Sequence, residues 1–382
     1  MENQNNKVPE NFQNLVEVDG ANVNPNIDAL KKAREEFEIK MSAPEGFVEV
    51  RLSTKGLIGA PEVFYIRNFS PEDLMSLGLA DQEDIPLKLI KVLDSLIYNP
   101  ENDPALSVKN FHEKEVIELL LFLYETFYTT IFANQEWILT EEDWDYVEKM
   151  YGGRDTDDFR NYERALKNGS FKPTFDIDIS KIGFYEIEKD IKLKAQVSRK
   201  YGDKTFKATF TLPKFGDFIT LKYFIDSIYK EEDRKFARIG EIIKFRREME
   251  EKLQQGENVN LSSIPNVPKT ELDKFKEYEM EKTLFSITAS KALYICEFDG
   301  VDVSSWPLEK KLELAKDARL DYSVFKMVQD HFNTLKFGYK EDITVHDPII
   351  GKVVTRKYTF QLVDLLAAIR DTGAAETSIS FV

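Results

Sequence analysis

The chain holds a single cysteine, Cys296, among 382 residues. An intrachain disulfide and a cysteine-built zinc centre are therefore excluded, and the low cysteine use fits a reducing cytosol. Cys296 closes the apolar run Ala292-Leu293-Tyr294-Ile295-Cys296 and is expected to be a small buried hydrophobe. Histidine is nearly as scarce. His112, His331 and His346 lie far apart, with no HExxH pair and no Cys/His cluster, so no cofactor or metal is expected. His112 precedes a helical pattern and reads as a capping or surface residue. His331 sits inside a helical pattern with no nearby group to activate it, and His346 sits at a hairpin surface.

Long hydrophobic runs are also missing. The most apolar stretch, residues 116–132 (VIELLLFLYETFYTTIF), carries Glu118 and Glu125. It falls short of the roughly 18–20 apolar residues a membrane span needs, so a core helix is expected there. The start, MENQNNKVPENFQNL, lacks a basic segment followed by an apolar one, so no secretion signal is expected. Positive charge is in deficit, with a formal net charge of −16. Phosphate binding rests on Lys and Arg releasing counterions, so nucleic acid is not an expected partner, and neither is an anionic membrane surface.

Catalytic signatures are absent as well. There is no GxxxxGK[ST] loop and no GxSxG elbow, and Gly56-Leu57-Ile58-Gly59 joins two strands where a phosphate loop would join strand to helix. Asp155, Asp157 and Asp158 are spaced like the opening of a calcium loop. Phe159 stands where an oxygen donor belongs, and no glutamate closes the loop. Asp176 and Asp178 alternate with Phe175, Ile177 and Ile179, as on the solvated face of a strand. No catalytic residue and no small-molecule substrate is expected, and the chain reads as a non-enzyme.

What the chain does have is aromatic side chains, with 28 Phe and 16 Tyr. Rigid aromatics build cores and protein–protein contacts alike. The pattern predicts an α+β chain of helical units with an N-terminal β-hairpin, a small central antiparallel sheet and a C-terminal β-hairpin. Four segments are expected: an arm over 1–45, a hairpin plus helical domain over 46–170, a small β domain over 171–229, and a helical domain with a closing hairpin over 230–382. The arm is rich in Asn and Gln and contains a short helix over 28–40.

The first hairpin alternates over 46–52, turns at 56–61 and returns over 63–68. Ser70-Pro71-Glu72-Asp73 starts a helix by capping. Helices are predicted over 86–98, 113–132 and from 140 to about 151, where Gly152-Gly153 ends the last. Strands follow at 175–179, 191–197 and 204–212, the latter two around a tip at Tyr201-Gly202-Asp203. Residues 218–221 fit either a helix start or a strand. Further helices are expected at 223–255, 271–294, 307–318 and 322–335, with a linker over 255–269. A last hairpin at 343–346 and 353–362 closes around Asp347-Pro348 and Gly351.

The order of these elements resembles the baseplate hub protein family of T-even-type contractile-tailed phages. Arg51-Leu52-Ser53-Thr54-Lys55-Gly56 is similar to that family's L-P-S-K-G strand and turn. An aromatic return strand, an S-P-E-D helix start at Ser70 and a helix ending at Asn99-Pro100 follow in the same order. Leu212-Pro213-Lys214-Phe215-Gly216 is similar to its L-P-x-x-G turn, and Phe298-Asp299-Gly300 to its I-D-G segment. The likeness spans most of residues 45–365. One departure is clear. Family members often carry paired cysteines in their hairpins, and here Asp347-Pro348 and Gly351 stand in that place.

The resemblance implies a virion structural protein of the tail baseplate that joins other tail and baseplate proteins, present in host cytoplasm during assembly. An assembly chaperone absent from the finished virion is the alternative, with a hydrolase third. The hairpin turn Lys55, Gly56, Leu57, Ile58 and Gly59 is the candidate interaction site, and the arm a candidate tether.

Overall fold

The computed structural model describes residues 43–78, 85–188, 191–201, 204–254, 260 and 264–377. The expected arm, apart from residues 43–45, lies outside them, as do the 28–40 helix, the hairpin tip at Gly202-Asp203 and most of the 255–269 linker. The chain divides into two units, Met1–Val48 and Glu49–Val382. Of the first, the described part is a turn in which Phe47 N–H donates to Pro44 O at 3.0 Å.

The architecture is α+β, with small antiparallel sheets set among helices. Strands β1 (Val48–Val50) and β2 (Phe64–Ile66) form the first pair. Helix α1 (Pro71–Gly78) starts at a reciprocal cap. Ser70 N–H donates to Asp73 Oδ2 at 2.8 Å, and Asp73 N–H donates to Ser70 Oγ at 3.2 Å. Helices α2 (Ile85–Leu96) and α3 (Glu113–Phe127) bury Leu89, Leu93 and Leu96 of one and Val116, Leu119, Leu120 and Leu123 of the other. These are the positions that helical periodicity selects.

Helix α3 ends earlier than its apolar pattern predicts. Tyr128 leaves helical geometry at φ −125°, and the β-branched pair Thr129-Thr130 leads into strand β3 (Ile131–Glu136). Strand β3 pairs antiparallel with β4 (Thr174–Asp178), placing Phe132 opposite Ile177. Their register slips between Phe132 and Gln135, where Asn134 takes φ +59° and its N–H donates to Asp176 Oδ1 at 2.9 Å. Between them lie α4 (Glu141–Met150) and α5 (Asp157–Lys167), the second not predicted. Few of its residues are apolar, and it is held through Phe159, 6.0 Å from Trp144 between ring centroids, and Tyr162.

Strands β5 (Lys194–Tyr201) and β6 (Lys204–Thr211) form the first half of a four-stranded antiparallel sheet. Helices α6 (Phe215–Gln254) and α7 (Lys269–Tyr294) follow, and residues 218–221 belong to the first of them. Strands β7 (Ile295–Phe298) and β8 (Val301–Asp302) then complete the sheet in the order β5-β6-β7-β8. Asp299 and Gly300 make the β7–β8 turn with φ +48° and +83°, the pair of positive values a tight two-residue hairpin requires. One face of the sheet packs Val197, Phe206, Ala208, Phe210 and Ile295 against Val324, Phe325 and Val328. Those three residues belong to α9 (Tyr322–Thr334), which follows α8 (Leu308–Ala315). Cys296 is buried as expected. Its thiol donates to Thr209 O at 3.3 Å, and burial pushes its pKa up.

Helices α6 and α7 run antiparallel through an aromatic ladder. Tyr229 stands 5.6 Å from Phe285 and 6.0 Å from Tyr278, and Phe236 stacks on Tyr278 at 5.0 Å. Asp233 accepts from Tyr278 and from Lys282, and burial with this bond holds the Tyr278 hydroxyl well above its usual range. With 40 residues, α6 spans about 60 Å.

The closing hairpin pairs β9 (Asp342–His346) with β10 (Val353–Lys357), turning at Gly351 with φ +74°. Here the structure departs from the sequence expectation, because β10 stops at Lys357 and residues from 362 begin an unpredicted helix, α10 (Leu362–Thr377). Leu365 and Ile369 are fully buried, and α10 packs against α3 and α1. Among the described residues no helix is long and apolar enough to cross a membrane.

Candidate interaction site

The loop between β1 and β2 is built around two acidic side chains of α3. Glu115 has no exposed surface, and Glu118 is 6% exposed. Neither has an ion-pair partner among the described residues, and both accept hydrogen bonds from the loop. Thr54 Oγ1 donates to Glu115 Oε1 at 2.6 Å, and Gly59 N–H donates to the same oxygen at 3.3 Å. Ala60 N–H and His112 N–H donate to Oε2 at 3.1 and 2.7 Å. One turn on, Glu118 takes Ser53 N–H at 2.5 Å and Ser53 Oγ at 2.7 Å. Burial raises the pKa of Glu118, and the Ser53 bonds and the Glu115 charge modify that rise. Glu115 also lies in the first turn of α3, where the helix dipole and the free N–H groups favour a negative side chain.

Lys55 and Gly56 form the exposed tip of the loop, with φ +50° and +76°. A Cβ on Gly56 would come within 2.9 Å of Glu62 N, so both backbone and space require glycine there. Leu57 and Ile58 are half-buried on the flank. Gly59 is the anchored base, donating to Glu115 and lying against Asn110 and Phe111. The five residues therefore form one loop, exposed at the tip and clamped at the base. Reading along the sequence missed the clamp. Its one visible signal is the capping spacing His112-x-x-Glu115.

His112 caps α3 by accepting Lys114 N–H on Nδ1 at 3.1 Å, which leaves the ring proton on Nε2. Its ring meets Phe337 edge-on at 5.0 Å. Burial, helped by the Lys114 charge, lowers its pKa to about 4. The unfolded chain takes this proton near pH 6.5, and the folded chain only near 4. Stability should therefore fall as pH drops through that window, by up to about 3 kcal/mol. His112→Asn keeps a capping oxygen and removes the titration. Denaturant midpoints between pH 7 and 4 should decline less for the variant than for the parent, and equal slopes would refute the assignment.

The acidic stretch after α4 is a helix start. Thr156 Oγ1 donates to Gly153 O at 2.8 Å and accepts Phe159 N–H at 3.3 Å. Asp155 is exposed and lies 3.9 Å from Arg160, while Asp157 and Asp158 fill the first turn of α5. A nearby cavity of about 440 Å³ is lined by Asp145, Glu148, Lys149, Gly152 and Gly153 and does not include those three aspartates. Among the described residues no cluster of three or more His, Cys, Asp or Glu side chains could hold a metal ion. His331 Nε2 meets Lys192 O at 3.0 Å, and His346 is exposed at the end of β9.

A second surface feature lies on α7. Tyr278, Ala289 and Leu293 are buried on the packed side of the helix. On the opposite side, Met280, Leu284 and Ile287 are 61%, 59% and 48% exposed. Their four- and three-residue spacings align them in one row. No protein-family model, curated protein or solved structure matches the chain.

Proposed function

We propose that the chain is a structural component of a contractile phage tail baseplate, in the hub or inner baseplate, that joins other tail proteins and performs no catalysis. The observation that carries an assembly role is the Met280, Leu284 and Ile287 row. Three large apolar side chains stand in solvent along the outer side of α7, whose inner side is packed against α6. An apolar row on a rigid helix suits docking into a partner's groove. The clamped loop supplies a second rigid projection, with Lys55 at its tip. The net charge of −16 favours partners with basic surfaces. The baseplate assignment itself rests on the likeness of residues 51–73 and 212–216 to the hub family, and it places the protein in the virion.

The row is testable without disturbing the fold. Leu284→Glu combined with Ile287→Glu alters exposed positions, so stability should stay within about 0.5 kcal/mol of the parent. Incorporation into tails, measured by complementation and quantitative blotting of purified particles, should fall at least tenfold. Full incorporation of a stably folded double variant would overturn the role given to this surface.

A further inference from the structure

The four-stranded sheet ends at β5, which pairs along its whole length with β6 and, among the described residues, has no strand on its other side. Tyr201 pairs with Lys204 at the tip, and a pair that closes so tight a hairpin exchanges its backbone bonds within the hairpin. Direction alternates along a strand, so Ala195, Val197 and Arg199 also bond to β6. The N–H and C=O groups of Lys194, Gln196, Ser198 and Lys200 point away from it. Among the described residues no hydrogen bond reaches these outward groups. Helix α9 packs on the inner face over Ala195 and Val197, and it holds Arg199 through Asp321 at 3.1 Å and Ser323 at 2.6 Å.

The side chains of the same four edge residues stand exposed on the outer face. Lys194 and Lys200, with Lys207 opposite Ser198 on β6, make a basic strip on a chain of net charge −16. Among the described residues the ion pair of this hairpin belongs to Arg199, and the three lysines have none. Glu297 and Asp302, acids of the same sheet, stand opposite one another on β7 and β8, beyond β6.

An open edge is a template for another strand, and charge decides which strand it accepts. Two copies of β5 meeting antiparallel about Val197 would set Lys194 against Lys200 twice, and like charges directly opposite are unfavourable. A strand that carries carboxylates on its outer face meets the same lysines favourably. We propose that the β5 edge is the docking site for an extended acidic segment of a partner protein, which joins the sheet as a fifth strand with its carboxylates beside Lys194 and Lys200. The outward backbone groups supply the hydrogen bonds, and the lysines supply the choice of partner and exclude a second copy. This contact is separate from the α7 row and does not depend on the baseplate assignment.

The test offers the full chain two synthetic peptides of the length of β5, one alternating Glu with Val and one alternating Lys with Val, and reads residue-resolved amide hydrogen exchange. The Glu–Val peptide should slow exchange at Gln196 and Ser198 by roughly tenfold or more, and leave Val197, already bonded to β6, unchanged. The effect should shrink as salt rises, and the Lys–Val peptide should produce none. Lys194→Glu combined with Lys200→Glu alters two exposed positions and should reverse the preference between the peptides. If that variant folds poorly, Lys194→Gln with Lys200→Gln carries the test and should abolish the preference. Unchanged exchange at Gln196 and Ser198 under saturating Glu–Val peptide would overturn the proposal. Equal protection of the parent by both peptides would overturn it too, because the lysines would then select nothing.

Discussion

Glu115→Gln should destabilise the folded chain by about 2–4 kcal/mol, although it changes one atom. The wild-type side chain receives four donors, and three of them are main-chain N–H groups that can only donate. An amide offers one accepting oxygen and turns an NH₂ toward the other pair. The best compromise points the NH₂ at Thr54, whose hydroxyl can rotate to accept it, and leaves Gly59 N–H facing a donor. A buried donor left unpaired costs about 1–3 kcal/mol, and weakening of the charge-assisted bonds adds to that. Glu118→Gln is the contrast. Its partners both belong to Ser53, whose hydroxyl can switch roles, so both contacts survive. Burial raises the Glu118 pKa, so the folded chain holds this proton more tightly than the unfolded chain. Stability from this group is therefore lost as pH rises from the ordinary glutamate range through the raised value, and Glu118→Gln should remove that loss. Chemical denaturation of the two variants at pH 7 checks the difference. Equal losses would show that the two acids do not play distinct parts.

Gly59→Ala should cost about 3 kcal/mol or more, because the obstruction is main chain. An added Cβ would lie 2.4 Å from Asn110 O, 2.9 Å from Phe111 Cα and 2.8 Å from Glu115 Oε2. None of these is the end of a flexible side chain free to swing away. The loop must lift, and the Gly59 and Ala60 bonds to Glu115 lengthen with it. Gly240→Ala is the matched control. It lies inside α6, and its Cβ would meet Phe275 at an ordinary 3.8 Å, so the better helix former should gain about 0.5–1 kcal/mol. Urea midpoints of both variants give the comparison. A Gly59→Ala protein as stable as the parent would show that the loop is not clamped.

The contrast between these glycines shows what sequence reading reaches. Local chemistry is legible: the Ser70–Asp73 and Thr140–Asp143 caps, the alternation at Lys204–Thr211 and the apolar faces of α2 and α3 all stand where spacing puts them. Convergence over distance is not. Glu115 meets Thr54 from 61 residues away, and β6 meets β7 after the whole α6–α7 hairpin has intervened. No local pattern announces either meeting. The overlong reading of α3 has a different cause. Phe127 and Phe132 continue an apolar run, and only the Tyr128-Thr129-Thr130 break, weak by propensity, divides helix from strand. Helix α5 went unread because one buried phenylalanine and the half-buried rings of Trp144, Tyr151 and Tyr162 hold it, too few apolar positions for a periodic signal. The candidate loop was visible as a glycine-bearing hairpin turn, while its anchors looked like ordinary charges on a core helix.

The most direct measurement of the proposed role is quantitative mass spectrometry of gradient-purified virions and isolated tails, set against the lysate from which they came. A baseplate component should be present in both purified fractions at a fixed ratio to other tail proteins and should persist through high-salt washing. A chain abundant in the lysate and absent from finished particles would contradict the structural assignment and mark an assembly factor instead.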